Sequence, residues 1–204
     1  MVTFLFLGER LCIDFVNTEI VDGGARVDLL RGFDDLVDWC VGAAVIGRAE
    51  ATAIRRRWTE TAEGRDAHRR AIELRATLRA MLEGIANGRG PVPPRVLEAI
   101  NAVLGEGASE RQVVRAGDGY QLRVRRIIET PGQLLAAIAE SAATLLTADD
   151  LTRLRACQNP ECVLFFFDTT KNHARRWCSM AACGNRAKVA AHYRRGRQPT
   201  PRPG

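Results

Sequence analysis

Two pairs of cysteines constrain this chain more than any other feature. Cys157 and Cys162 enclose QNPE, Cys178 and Cys183 enclose SMAA, and fifteen residues separate the pairs. The pattern C-x4-C-x15-C-x4-C supplies four thiolates, the number that a tetrahedral structural Zn2+ requires. Each short loop lets two sulfurs reach one ion, and Asn159-Pro160 favours a tight turn inside the first pair. The separation between the pairs suits a hairpin, for which VLFFFD supplies β-favouring residues. A segment this small cannot build its own hydrophobic core. Metal binding would supply the missing folding energy, on the order of 10 kcal/mol.

Other chemistry fits the spacing less well. A redox dithiol would present CxxC with one thiol activated at a helix start, and both loops here are longer. An iron–sulfur cluster could also use four cysteines, but the basic surroundings fit it no better. Catalytic zinc fits worse, since four thiolates leave no open position for water. His173, between the pairs, could in principle replace a ligand, but with four cysteines present it reads as a surface or phosphate-contacting side chain. Cys12 and Cys40 stand alone among apolar neighbours and read as inert core thiols.

The rest of the chain sets the context. At 204 residues, 46% hydrophobic and 26% charged, it has room for one core or for a core with a small appendage. No apolar run approaches the roughly 20 residues needed to span a bilayer. The start, MVTFLFLGERLCIDF, lacks a basic n-region and a small-residue cleavage site. A cytoplasmic protein without membrane contact is expected, and in a reducing compartment clustered thiols point to metal rather than disulfides. From Leu151 to Gly204 eleven basic residues face two acidic ones, a net +9, which leaves −3 for the remainder of a chain at +6. A mildly acidic body with a basic end is the charge map of a nucleic-acid binder.

Periodicity predicts a mainly helical α+β body over residues 1–148. Residues 3–7 are strand-like, GERLCIDFVNTEI and 33–46 are helical, and DGGARVD is a loop. Helical spacing runs from about Glu50 to Asn87, with Gly64 expected to separate two helices, and resumes over 96–104. RQVVRAGDGYQLRVRRI predicts a β-hairpin, and 134–146 a further helix. Thr147 and Asp150 resemble a capping box opening a short helix, LTRLRA. Residues 149–197 would form the zinc module, and 198–204, rich in Pro and Gly, a disordered tail.

WCSMAACGNRAKVAAHYRR resembles the signature of the CGNR zinc-finger family, with Cys183-Gly184-Asn185-Arg186 spelling its name. CQNPECVLFFFDTTKNHARRWC resembles that family's first cysteine pair, aromatic strand, Asp-Thr segment and Arg-Arg-Trp-Cys approach. LGERLCIDFVNT resembles the opening of the ABATE-type domain that accompanies this finger. The resemblance implies a bacterial, stress-related transcription regulator with zinc and DNA as partners. A helix starting at the second cysteine pair suggests a treble-clef-like finger.

On that reading Lys171, Arg175, Arg176, Asn185, Arg186, Lys188, Arg194, Arg195 and Arg197 would meet nucleic acid, phosphate contact being the better reading than base readout. Trp177, Phe165 and Phe167 are expected to pack around the metal. The alternative is an RNA-binding or protein-interaction adaptor using the same finger. An enzyme is not expected: Asp14 and Asn17 could line a polar pocket, but no nucleophile–base pair accompanies them, and buried hydrogen bonding is the better account. A regulator of this kind leaves room for a small-molecule effector in the body and for a homodimer, although no heptad seam marks an interface.

Overall fold

A computed structural model of the chain describes residues 3–189. The body opens with α1 (Leu11–Val16), followed by β1 (Glu19–Asp22), β2 (Ala25–Asp28), α2 (Phe33–Gly42), α3 (Arg48–Trp58) and α4 (Ala62–Ala86). It continues through α5 (Pro94–Glu106), β3 (Ala108–Ala116), β4 (Gly119–Ile127), a 3-10 turn at Pro131–Leu135, and α6 (Ala136–Thr147). A second 3-10 turn (Leu151–Arg153) leads into β5 (Leu154–Ala156), which pairs with β6 (Phe165–Phe167). The architecture is α+β and mainly α, with three separate two-stranded antiparallel sheets among the described residues. No helix among the described residues is long and apolar enough to cross a membrane.

α1 explains the packing. Its residues Cys12 to Val16 are buried all round, the mark of a helix inside a core rather than on its surface. α4, α6 and β6 pack around it. The central cluster includes Phe15, Trp39, Leu78, Leu82, Leu135 and Ile138. Beside it Arg75, 4% exposed, donates to both carboxylate oxygens of Asp28 and to Thr18 Oγ1.

Several local expectations give way. DGGARVD is not a loop but the β1–β2 hairpin, because Gly23 and Gly24 at φ +56° and +84° supply the two left-handed positions of a two-residue turn. Gly64 does not separate α3 from α4. The chain breaks at Thr59–Thr61, and Thr61 Oγ1 caps α4 by accepting from Gly64 N–H at 3.1 Å. Glycine is required there by close approach: a Cβ would lie 2.0 Å from the Trp58 carbonyl oxygen. Residues 3–7 form no strand. LTRLRA is not a helix either. Asp150 caps only a 3-10 turn, accepting from Thr152 N–H, and the chain then extends as β5. The hairpin expected over 111–127 forms, its pairing beginning three residues earlier at Ala108↔Ile127.

The last described segment is joined to the body through its strands. Leu154, Phe165 and Phe167 belong to the same cluster as the helices, whereas Phe166 packs with the cysteines. Alternation along β6 sends its neighbours to opposite faces, so one strand forms a wall of both cores. Arg79 of α4 donates to the carbonyls of Val163 (3.0 Å) and Val16 (2.9 Å). Arg10 pairs with Asp149 at 2.6 Å and lies over the Phe167 ring.

Candidate metal centre

The hairpin of β5 and β6 carries the first cysteine pair at its closed end. Cys157 N–H donates to Leu164 O, and Cys162 N–H to Asn159 O, both at 2.9 Å. The Asn159 side chain accepts from Glu161 N–H, which shapes the turn. This is a correction: VLFFFD pairs backward with β5 around the first cysteine pair, not across the interval between the pairs. That interval is organised by Asp168 instead. Buried Asp168 accepts from Thr170 N–H, Thr170 Oγ1 and Arg175 N–H at 2.6–3.0 Å. Burial alone would raise its pKa, but these donors hold it below the usual carboxylate range.

Of the second pair, Cys178 precedes and Cys183 lies on a tight π turn, Met180–Gly184, capped by Ser179 accepting from Ala182 N–H. Residues 185–189 continue as helix, so a helix does start at the second pair.

All four sulfurs lie within 4.8 Å of one another. Cys162 and Cys178 Sγ are 3.8 Å apart, and Cys178 and Cys183 Sγ 3.6 Å. A tetrahedral zinc with bonds of about 2.3 Å places its sulfurs about 3.8 Å from one another. The donor set therefore fits that ion. Two N–H groups also point at sulfur, Cys178 N–H at Cys157 and Asn159 Nδ2 at Cys183, each at 3.4 Å, the kind of outer bond that orients thiolate ligands. Hydrogen bonding among the thiols pulls Cys157 down and pushes Cys162 and Cys178 up. Sulfurs this close cannot all ionise without a cation among them. Four thiolates make a closed structural site rather than a catalytic one.

A helical body with a four-cysteine module built into its core defines a two-part zinc-finger protein. Residues 9–149 match the ABATE family, described as "Putative stress-induced transcription regulator", and residues 153–196 match the CGNR zinc finger. The chain belongs to the ABATE family and carries a CGNR zinc finger that binds one structural Zn2+. No curated protein matches the chain.

The residues expected at nucleic acid fall into three groups. Lys171, Arg176, Asn185, Arg186 and Lys188 are exposed on the segment that carries the second cysteine pair. Asn185 Nδ2 donates to Ala181 O, and Arg176 Nε to Gln158 Oε1. Arg175 is a fold residue: its guanidinium donates to the carbonyls of Leu7, Trp177 and Cys178 and lies over the Phe166 ring at 4.3 Å. Arg194, Arg195 and Arg197, with the expected 198–204 tail, lie outside the described residues. Trp177 packs at the metal side, but Phe165 and Phe167 enter the helical core instead, because alternation leaves only Phe166 on the cysteine face.

Asp14 and Asn17 have internal partners. Asn17 Nδ2 donates to Phe165 O and its Oδ1 accepts from Phe165 N–H, both at 2.9 Å. Asp14 Oδ1 accepts from Gly8 N–H at 2.7 Å. Burial pushes the Asp14 carboxyl up to about 6, the Gly8 and Leu7 N–H groups opposing it only in part. The native state thus holds this proton more tightly than the unfolded chain, and the group's penalty, full above pH 6, disappears as pH falls toward 4. Asp14→Asn keeps an acceptor for Gly8. It is expected to raise stability at pH 7 by about 1 kcal/mol and to flatten the profile between about pH 4 and 6. Urea unfolding across that range checks this; an unaltered profile would count against it.

The sequence reading missed Arg79 and Asp168 as organisers of the site. Asp168 sits in the Asp-Thr segment of the family pattern, which was its one visible signal. Arg79 had none, being one arginine among many.

Proposed function

We propose that this chain is a zinc-dependent transcription regulator of the bacterial cytoplasm that binds double-stranded DNA through the face of the finger carrying Lys171, Arg176, Asn185, Arg186 and Lys188. In sequence, Arg194, Arg195 and Arg197 extend the same basic run. One observation carries the proposal. Among the described residues, the cations Lys171, Arg176, Arg186 and Lys188 all lack a carboxylate partner, whereas ten of the nineteen arginines of the body have one, Arg10, Arg31, Arg55, Arg69, Arg70 and Arg75 among them. Unpaired like charges on one small module repel one another, and a polyanion relieves that repulsion. Beside Lys171 and Arg176 a cleft of about 810 Å³ is lined also by Glu9, Trp177 and Met180, while Arg186 lines a separate cleft with Cys162 and Cys183. The first offers an apolar floor between cations.

Phosphate contact sets the expected signature. Each phosphate neutralised contributes about −0.9 to the slope of log K against log salt. The zinc-loaded protein should retain duplex DNA at low salt, and Arg186→Ala with Lys188→Ala should make that slope shallower by roughly two. Fluorescence anisotropy across a salt series measures both. No affinity for duplex DNA at low salt would overturn the reading. Selective binding of RNA, or a protein captured through the finger, would replace it with the adaptor alternative.

A further inference from the structure

The β3–β4 hairpin is a part of the fold that the finger does not explain. Its strands pair over nine residues each, from Ala108↔Ile127 to Ala116↔Gly119, and turn at Gly117 with φ +59°. Nine extended residues reach about 30 Å. A two-stranded hairpin is marginally stable without further packing, yet among the described residues no other element packs extensively on this one. It is anchored at its base, where Arg126 pairs with Glu140 of α6 and Ile128 packs against the core.

Its chemistry is as unusual as its reach. Directly opposed residues of an antiparallel pair share a face. One face therefore carries Arg111↔Val124, Val113↔Leu122 and Arg115↔Tyr120 in succession. Val113 is 72% exposed, Leu122 61% and Tyr120 80%. Five arginines stand on the two strands and their turn against two acids, Glu110 and Asp118. Arg125 lies 3.5 Å from Glu110, and among the described residues Arg111, Arg115 and Arg123 have no carboxylate partner.

We propose that this hairpin is a second DNA-contacting element, a β-ribbon that enters a groove of double-stranded DNA on its Val113–Leu122 face, with Arg111 and Arg115 of that face reaching phosphates and the apolar side chains toward base edges. The inference rests on the reading of the chain as a DNA-binding protein. Charge complementarity selects the occupant. A ribbon with five arginines against two acids, net +3, is matched by a polyanion. A second copy of the same ribbon would repel it and bury Arg111 and Arg115 unpaired between apolar side chains. Shape agrees: the major groove, about 12 Å wide, admits a two-stranded ribbon, and apolar side chains there meet thymine methyl groups.

The test uses the full zinc-loaded chain on a mixed-sequence DNA duplex. Wild type is compared with an arm variant (Arg111→Gln, Arg115→Gln) and a finger variant (Arg186→Gln, Lys188→Gln). These side chains are exposed, so substitution should leave stability nearly unchanged, which thermal unfolding verifies. The arm variant is expected to bind roughly tenfold more weakly or worse, with a salt slope shallower by about two. Its hydroxyl-radical footprint should shorten while the protections lost in the finger variant remain. An arm variant with unchanged slope and footprint on DNA that wild type binds overturns the arm and leaves the finger standing. Wild type that binds no duplex overturns both, starting with the finger. Weaker binding that tracks conversion of a dimer to a monomer in light scattering assigns the arm to self-association and overturns the DNA contact.

Discussion

Chelation of zinc, or Cys178→Ser, is expected to unfold the segment after Asp168 while α1–α6 and the Phe165–Phe167 strand stay folded. The expectation follows from how β6 is shared. Phe165 and Phe167 are held by the helical core, and Asn17 pairs with the Phe165 backbone in both directions. Those hydrogen bonds involve no cysteine. Among the described residues beyond Asp168 there is little apolar burial: the buried positions are Cys178, Cys183 and Gly184, and the sulfurs can hold together as thiolates only around a cation. Zinc binding in comparable modules is worth on the order of 10 kcal/mol, far above what the remaining contacts of that segment could replace. Hydrogen exchange gives the map. The Cys178 and Gly184 amides, which donate to Cys157 Sγ and Ser179 O, should lose protection; the Phe165 and Phe167 amides, which donate to Asn17 and Gly8 O, should keep it. Trp177 fluorescence should shift and recover when zinc is restored. Cooperative loss of the whole chain's structure on chelation would sink this account.

Asn17→Ala should be the most damaging single substitution that touches no cysteine, costing about 4 kcal/mol. Asn17 is fully buried and satisfies both backbone groups of Phe165, 148 positions away. Alanine would leave a buried N–H and a buried C=O without partners, each costing about 1–3 kcal/mol. Asn17→Asp is no remedy, since a carboxylate accepts from the N–H but presents a second acceptor, and a charge, to the carbonyl. Urea unfolding of the zinc-loaded variants measures the cost, with zinc stoichiometry as the control that the finger still closes. A loss below about 1 kcal/mol would mean that the clamp contributes little.

The family descriptions agree with this physical picture at the level they reach. They describe a regulator with a zinc finger, and the four clustered sulfurs supply the metal chemistry. What the body contributes is clearest where it meets the finger. Arg79, Arg10 and Asn17 of the body all touch the residues that frame the first cysteine pair. A change in the body is thus mechanically connected to the metal centre.

The division between what could be read and what could not follows sequence distance. The cysteine spacing, the helices read over 33–46 and 96–104, and the hairpin read over 111–127 are local signals, each set by residues within a turn or a strand pair of one another, and all were legible, with observed bounds of 33–42, 94–106 and 108–127. Gly64 misled because glycine's local meaning is a break, whereas its reason here is the approach of the Trp58 carbonyl. DGGARVD misled in the same way: its glycines suit a loop or a tight turn, and flanking strands of four residues are too short to decide. VLFFFD announced a strand but not its partner, and could not say which phenylalanine would face the metal. Asn17 and Arg79 looked like any polar residue on a helix until their partners, 148 and 84 positions away, came into contact. By itself the sequence determined the metal, its ligands and most helices, because metal ligation and helical burial need only short-range spacing. Only the tertiary structure decided that finger and body share one strand, because a strand's partner and a buried amide's acceptor are settled by what the whole chain packs beside them.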